Sequence, residues 1–379
     1  LKKKILLFAD WYEPGYKAGG PIRSCVNFAR NMREDYQVFV FTSDRDLGSA
    51  EAYPAIRTDA WMEMQEGLSV YYCSPEMLNW QNIRKQMDVI QPDLIYLNSM
   101  FSLKFTIYPL LIGRLYKRDQ VTILSPRGML RGSAIRYKTR KKKLFLTVLR
   151  VLGLHRGIRF HATDQTESAD IHKYFGRSSA VTIVPNFPGA ITGDLPIPEK
   201  MAGDLSMIFV GRIHPIKKLD FLLEALKEVK PGVRLTIVGS KEDESYWEKC
   251  KEIISGLPDT VKVEYAGEIA NRELQTVTAK HHIFALPTSG ENFGHAIFEA
   301  LALGKPVLIS DQTPWRHLQE AGAGWDLPLN EPGGFRAAIG QAGAWGQEDY
   351  EKWCGSTRQF IQNYIAGLNL KDEYQKLFS

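Results

Sequence analysis

Short runs of β-branched and aliphatic residues alternate with stretches of helical period from one end of the chain to the other. Runs at 5–9, 37–42, 69–73, 93–97, 121–125, 159–162 and 181–184 predict strands in the first half. Runs at 207–210, 234–238, 261–266, 283–286, 307–310 and 324–327 predict them in the second. Such alternation argues for parallel sheets built from βαβ units. Between the halves, residues 186–198 are rich in Pro and Gly and have no period, which reads as a linker. The expected organisation is α/β: a first domain over 1–186, a linker over 187–204 and a second domain over 205–379. Each domain restarts with a strand and is doubly wound, and no internal repeat is visible. A last helical pattern at 371–378 fits either domain.

Composition agrees with two soluble globular domains. At 379 residues the chain is too long for one ordinary core. Its 44% hydrophobic and 24% charged residues are ordinary for a globular protein. The Trp and Tyr residues are scattered, which suits cores better than a sugar platform. Cysteines stand at 25, 73, 250 and 354 with no CxxC and no metal-like spacing, so a reduced, cytoplasmic chain is expected. The opening Lys2-Lys3-Lys4 followed by apolar residues resembles a signal peptide. Its apolar run is only five residues long and is ended by Asp10, so it reads as a first strand. No apolar run is long enough for a membrane span.

The net charge of +5 is modest but uneven. No acidic residue occurs from Gln120 to Thr163, and Arg136–Lys143 is nearly all basic. An apolar helical segment, 144–149, follows at once. One reading is a solvated basic helix start leading into a buried helix. The other is a patch for anionic lipid headgroups, which would place the protein peripherally at the inner face of a membrane. No nucleic-acid reading motif accompanies the charge, so no nucleic-acid partner is expected.

Candidate chemistry concentrates at Gly290-Glu291-Asn292-Phe293-Gly294-His295-Ala296-Ile297-Phe298-Glu299-Ala300, between two predicted strands. A carboxylate at a strand's C-terminal end, with a helix N-terminus behind it, makes a ligand site. Loop amides and the helix dipole suit an anion, and carboxylates suit hydroxyls. A ligand with both phosphate and hydroxyls is a nucleotide-sugar. Paired carboxylates also suggest a glycoside hydrolase, but a helical eight-residue span rises about 12 Å. Retaining hydrolases need about 5–5.5 Å and inverting ones about 6.5–9.5 Å. The two acids therefore grip different parts of one long ligand, Glu299 the ribose and Glu291 the sugar.

Arg212 and Lys217 lie on one strand-to-helix loop, Gly211-Arg212-Ile213-His214-Pro215-Ile216-Lys217. They could offset charge on a nucleoside-diphosphate leaving group. Gly19-Gly20 after the first strand allows close backbone approach to a ligand, although it is neither GxGxxG nor a Walker A loop. Asp44-Arg45-Asp46 is a literal DxD, read here as structural because the cation pair already serves the phosphates. His281 and His282 are adjacent, so on a strand they would point to opposite faces and not share a metal.

Taken together, the Gly19-Gly20 loop, Gly211-Arg212…Lys217, Val238-Gly239, Pro287-Thr288-Ser289 and Glu291-x7-Glu299 resemble the family-4 retaining glycosyltransferases along nearly the whole chain. The resemblance implies the GT-B fold, two Rossmann-like doubly wound domains facing each other across a cleft. It implies metal-independent transfer from a nucleotide-sugar with retained anomeric configuration, with the donor mainly on the C-terminal domain and the acceptor on the N-terminal one. Arg212 and Lys217 would bind the diphosphate, and Glu291 the donor sugar. The amides of Phe293 and Gly294 would line the sugar or phosphate edge, Asn292 would belong to the same donor-binding loop, and Glu299 would hold the ribose. Gly211 would belong to the same loop, Glu268 and Ile269 would lie beside the base, and Gly20 would approach the phosphates. Relatives carry histidine where this chain has Arg127 and Asn98, which would leave these two as acceptor contacts.

The implied function is hexosyl transfer from a UDP-sugar, with a GDP-sugar second, to a glycan or lipid-linked acceptor in polysaccharide or glycoconjugate biosynthesis. No metal and no cofactor is expected, the nucleotide-sugar being a co-substrate. Two other classes stay open on the residues alone. One is a GT-B-shaped enzyme of another kind, a nucleotide-sugar epimerase or a phosphorylase; the other is a two-lobed sugar-binding protein without chemistry.

Overall fold

The computed structural model describes residues 2–116, 120–136, 139–190 and 195–379. Residues 137–138 of the basic segment and 191–194 of the linker fall outside them. The chain divides into two compact units, Leu1–Pro188 with Asn369–Ser379, and Gly189–Leu368.

The first unit holds an eight-stranded sheet made of β1 (Lys4–Phe8), β2 (Gln37–Ser43), β3 (Trp61–Gln65), β4 (Leu68–Cys73), β5 (Leu94–Leu97), β6 (Val121–Leu124), β7 (Arg159–Ala162) and β8 (Val181–Ile183). Their order is β3-β4-β2-β1-β5-β6-β7-β8. All pairs are parallel except β3–β4. Central strands such as β5 are buried at every position because helices cover both faces. β3 is different. It is the exposed edge of a tight hairpin, turned at Gly67 (φ +77°), where a Cβ would stand 2.7 Å from the Arg33 carbonyl oxygen. The last helix, Leu370–Phe378, belongs to this unit. Its Tyr374 stacks on Phe187 at 4.7 Å, and its Phe378 meets Phe28 edge-on at 5.9 Å.

The second unit holds a six-stranded, all-parallel sheet: β9 (Asp204–Val210), β10 (Gly232–Val238), β11 (Val261–Gly267), β12 (Ile283–Leu286), β13 (Val307–Ser310) and β14 (Gly324–Leu327). The order β11-β10-β9-β12-β13-β14 is that of the dinucleotide-binding fold, 3-2-1-4-5-6. The chain runs outward from β9 to one edge and then crosses back to β12. Loops leaving the C-terminal ends of β9 and β12 therefore diverge to opposite faces and leave a crevice between them, where open α/β sheets take their ligands. Three tryptophans pack the far side of this unit, Trp325 stacking on Trp345 and Trp353 at 5.6 and 5.0 Å.

Helix starts follow from their caps. Asn79, Asp164 and Asp243 each accept the backbone N–H three residues on, at 3.0, 2.7 and 3.0 Å. Each such cap contributes about 1 kcal/mol. All four cysteines are free and buried. Among the described residues, no helix is long and apolar enough to cross a membrane.

Candidate donor site

The site is built at the β9–β12 crevice by two loops that fasten to each other. After β9 the chain passes Gly211, whose N–H donates to Val238 at 3.0 Å. Its carbonyl oxygen then lies where a Cβ on Gly239 would stand only 2.0 Å away. Gly239 has φ +142°, so only glycine admits this approach of the two loops. Next comes a tight turn, Pro215–Lys217, capped by His214, which accepts from Ile216 N at 3.2 Å. Lys218 closes it in the left-handed region at φ +56°. The turn presents Lys217 toward the second loop.

That second loop follows β12. Ser289 N donates to the Ile216 carbonyl at 2.7 Å, and the Thr288 hydroxyl donates to the same oxygen at 3.2 Å. Ser310, at the end of β13, donates to the Thr288 carbonyl, and Glu291 N donates to Gln312 O at 3.2 Å. So held, Glu291 accepts a charge-assisted hydrogen bond from Lys217, 74 residues earlier in the chain. The two side chains are 14% and 15% exposed, which limits solvent screening of the pair. Arg212 pairs with Glu242 at a wetter place, where both are about a third exposed.

Behind this loop the helix His295–Ala302 starts at Gly294 (φ +76°). A Cβ there would stand 3.0 Å from Ile297 Cδ1 and 3.4 Å from Trp315 Nε1. The Phe293 ring packs between His295 and Trp315 at 4.7 and 5.5 Å, and Trp315 Nε1 donates to its carbonyl at 2.7 Å. Phe293 thus anchors the loop from the core, leaving backbone as its means of touching a ligand. Glu299 lies further along this helix and lines a small pocket with Val210, Gln275, Thr278 and Ala296. Gln275 and Thr278 belong to the helix Asn271–Ala279, which is entered from β11 through Glu268 and Ile269. Gly211, Arg212, Lys217, Glu268, Ile269, Glu291, Asn292, Phe293, Gly294 and Glu299 all lie in this one unit, on loops and helices that leave the C-terminal ends of its strands. Glu242, Gln312 and Trp315, which hold parts of it, carry no motif of their own.

The remaining candidates lie in the first unit. Gly20 opens the helix Gly20–Met32 just after Gly19 (φ +66°). Asn98 and Arg127 face each other inside the unit. Arg127, at φ +54°, donates Nε and Nη2 to Asn98 Oδ1 at 3.1 and 2.6 Å. The same Nη2 reaches the Tyr96 hydroxyl at 2.9 Å, and Nη1 bonds Asn186. Tyr96 in turn meets His161 Nδ1 at 2.6 Å, while His161 Nε2 meets the Val184 carbonyl at 2.7 Å. A carbonyl only accepts, so the proton of neutral His161 sits on Nε2 and Tyr96 donates to Nδ1. Burial, with the Arg127 cation nearby, pushes the His161 pKa down to about 3. The Arg127 guanidinium is thus engaged in a buried network of its own unit.

The other two sequence candidates have structural employment. Asp46 accepts from the backbone N–H groups of Tyr16, Lys17 and Leu47 at 2.8, 3.1 and 2.8 Å, and Asp44 is bonded by Arg45 at 2.8 Å. His281 and His282 precede β12, where His281 bonds Thr236 and His282 accepts from Ser206 N, both at 2.9 Å.

Residues 204–342, which cover most of this site, match the family model described as glycosyl transferases group 1. That match covers most of the second unit. The D-inositol 3-phosphate glycosyltransferase of Segniliparus rotundus is 31% identical over 170 residues, spanning 40% of this chain and 36% of that relative. The chain thus matches about a third of that curated relative's length. Among solved structures, HepE of Anabaena in complex with UDP-glucose is similar at a TM-score of 0.63 and 16% identity, covering 96% of this chain and all of HepE. Sucrose-phosphate synthase of Thermosynechococcus elongatus is similar at 0.66 and 16%, covering 96% of this chain and 99% of its own. Likeness at this identity concerns the fold, and the fold is GT-B. The family-4-like resemblance drawn from the Arg212, Lys217, Glu291 and Glu299 pattern is borne out by the group 1 match and the curated relative, and its fold by these neighbours.

Proposed function

We propose that the second unit holds a nucleoside-diphosphate sugar, UDP-linked first and GDP-linked second, and that the protein transfers its sugar to a glycan hydroxyl with retention and without a metal. The observation that carries this reading is the meeting of Lys217 with Glu291 at the β9–β12 crevice. A cation suited to a diphosphate and a carboxylate suited to sugar hydroxyls stand within one hydrogen bond, where a parallel sheet takes its ligands.

In this reading Arg212 and Lys217 exchange their carboxylate partners for the diphosphate oxygens. Cations fixed in place offset the charge that grows on the leaving phosphate as the bond from the anomeric carbon to oxygen breaks. Glu291, released from Lys217, accepts hydrogen bonds from the sugar hydroxyls and orients the ring. First-turn amides of the helix behind Gly294 add the dipole's positive end. Glu299 holds the ribose diol, and Glu268 and Ile269 flank the base. The acceptor oxygen forms the new bond on the face the phosphate leaves, and its proton passes to the departing phosphate oxygen. The anomeric configuration is thereby retained and no protein nucleophile is consumed.

The test is proton NMR of the protein incubated with a UDP-sugar and a panel of glycan acceptors in EDTA. The expected product carries the donor's anomeric configuration. An inverted product, or transfer that requires added divalent metal, would overturn the reading.

A further inference from the structure

The helix Thr139–Val151 packs one apolar face into the core of the first unit and presents a second set of apolar residues to solvent. Only Leu146 and Leu149 of the apolar stretch are buried, at 4% and 1% exposure. Leu144, Val148 and Val151 are 65%, 46% and 80% exposed, and Leu152 just beyond is 55% exposed. At about 100° per residue, Leu144, Val148 and Val151 fall within an arc of about 60°. They form one continuous stripe.

Cations flank that stripe on both sides. Lys141 borders it on one side, and Arg140, Lys143 and Arg150 lie along the other; all four are exposed. Lys142 points elsewhere, donating to the Ala134 carbonyl at 2.7 Å. No acidic residue interrupts the sequence between 120 and 163. The helix end is fastened, with Arg114 donating to the carbonyls of Leu152 and Gly153 at 3.1 and 2.9 Å. Arg114 comes from the helix Tyr108–Leu115, whose last residue, Leu115, is itself 65% exposed. The helix also begins on the chain leaving the C-terminal end of β6, the edge at which such sheets take ligands.

An apolar stripe on a fixed helix with cationic shoulders and no acids matches the interface of an anionic bilayer. The stripe enters the acyl boundary and the cations meet lipid phosphates. We propose that this face docks the first unit onto an anionic membrane surface, so that a lipid-linked acceptor is met where its headgroup emerges. The docking itself needs no donor and no turnover.

The experiment is co-sedimentation of the full chain with vesicles of phosphatidylcholine alone and of an equimolar phosphatidylcholine–phosphatidylglycerol mixture. The expected result is binding to the anionic vesicles only, weakened by salt. Leu144→Asn with Val151→Asn should reduce binding about tenfold. Arg140→Gln with Lys143→Gln should reduce it about fivefold for each cation removed. Val89→Asn, which changes a 60% exposed residue on another helix, should leave binding unchanged. Unaltered thermal melts would show that these surface variants fold. Three outcomes overturn the proposal. They are no binding to anionic vesicles, a cation-dependent binding indifferent to Leu144 and Val151 (a general polyanion patch), and self-association through the stripe without vesicle binding.

Discussion

Replacing Lys217 by Met separates the contact this ammonium makes with Glu291 from the role proposed for it, meeting a diphosphate. In the folded protein it satisfies a carboxylate that is only 14% exposed. Removing it leaves Glu291 with most of its surface away from water and its charge-assisted partner gone, a loss of about 1.5–3 kcal/mol. For a unit of this size, about 2 kcal/mol lowers the melting temperature by about 4–8 °C. Donor binding should fall as well, by about a hundredfold if the ammonium meets the phosphates as a fixed charge. The double variant Lys217→Met with Glu291→Gln distinguishes the effects. Neutralising Glu291 removes the stranded charge, so stability should return to within about 1 kcal/mol of the parent. UDP affinity should stay low, because no cation has been restored. Differential scanning fluorimetry reads the first quantity and isothermal titration with UDP the second. The reasoning is refuted if UDP binds Lys217→Met as tightly as the parent, or if the double variant recovers affinity along with stability.

Three further outcomes are expected. Glu291→Ala should lower kcat by several kcal/mol of barrier while leaving UDP affinity nearly intact, whereas Glu299→Ala should weaken UDP binding; titration and steady-state kinetics on both separate the roles. Gly239→Ala should prevent or strongly destabilise folding of the second unit, by about 3 kcal/mol or more, because its Cβ would enter the Gly211 carbonyl at 2.0 Å. His161, with its pKa pushed down to about 3, and His282, to about 4, are buried and neutral when folded but take up protons near pH 6.5 when unfolded. Folded pKa values below the unfolded one mean stability is full above pH 6.5 and falls toward pH 3–4, by up to about 2 kcal/mol per histidine by about pH 5. Melting curves across that range should be steeper for the parent than for His161→Gln, and equal slopes would contradict the assignment.

What the sequence makes legible is what depends on near neighbours. Among the described residues, thirteen of the fourteen strands coincide with runs legible in the sequence, and those such as β5, β12 and β13 are apolar throughout because both faces are covered. The exception is β3, Trp-Met-Glu-Met-Gln, whose exposed position at a sheet edge removes the need for an apolar pattern. The motif residues of the second unit were readable as candidates, but not the contact between Lys217 and Glu291. That contact follows from the strand order placing β9 beside β12, which no local pattern encodes. Arg127 read as an acceptor contact because relatives carry histidine there; its bonds to Tyr96 and Asn98 on one stretch and to Asn186 on another are long-range contacts that no local pattern encodes. The segment 144–149 read equally as a buried helix and as part of a lipid-facing patch on composition alone. Its phase against the sheet, which exposes Leu144 and Val148, is a tertiary fact.

The most direct measurement of the central claim is a thermal-shift panel with UDP, GDP, ADP and CMP, each with and without EDTA. A ligand present at 100 times its dissociation constant stabilises the folded form by about 2.7 kcal/mol, well within reach of the method. A shift with one diphosphate nucleotide, UDP before GDP, unchanged by EDTA and lost in Lys217→Met, is the expected result. No shift with any nucleotide at millimolar concentration, or one abolished by EDTA, would contradict a metal-independent nucleotide-sugar site built on Arg212, Lys217 and Glu291.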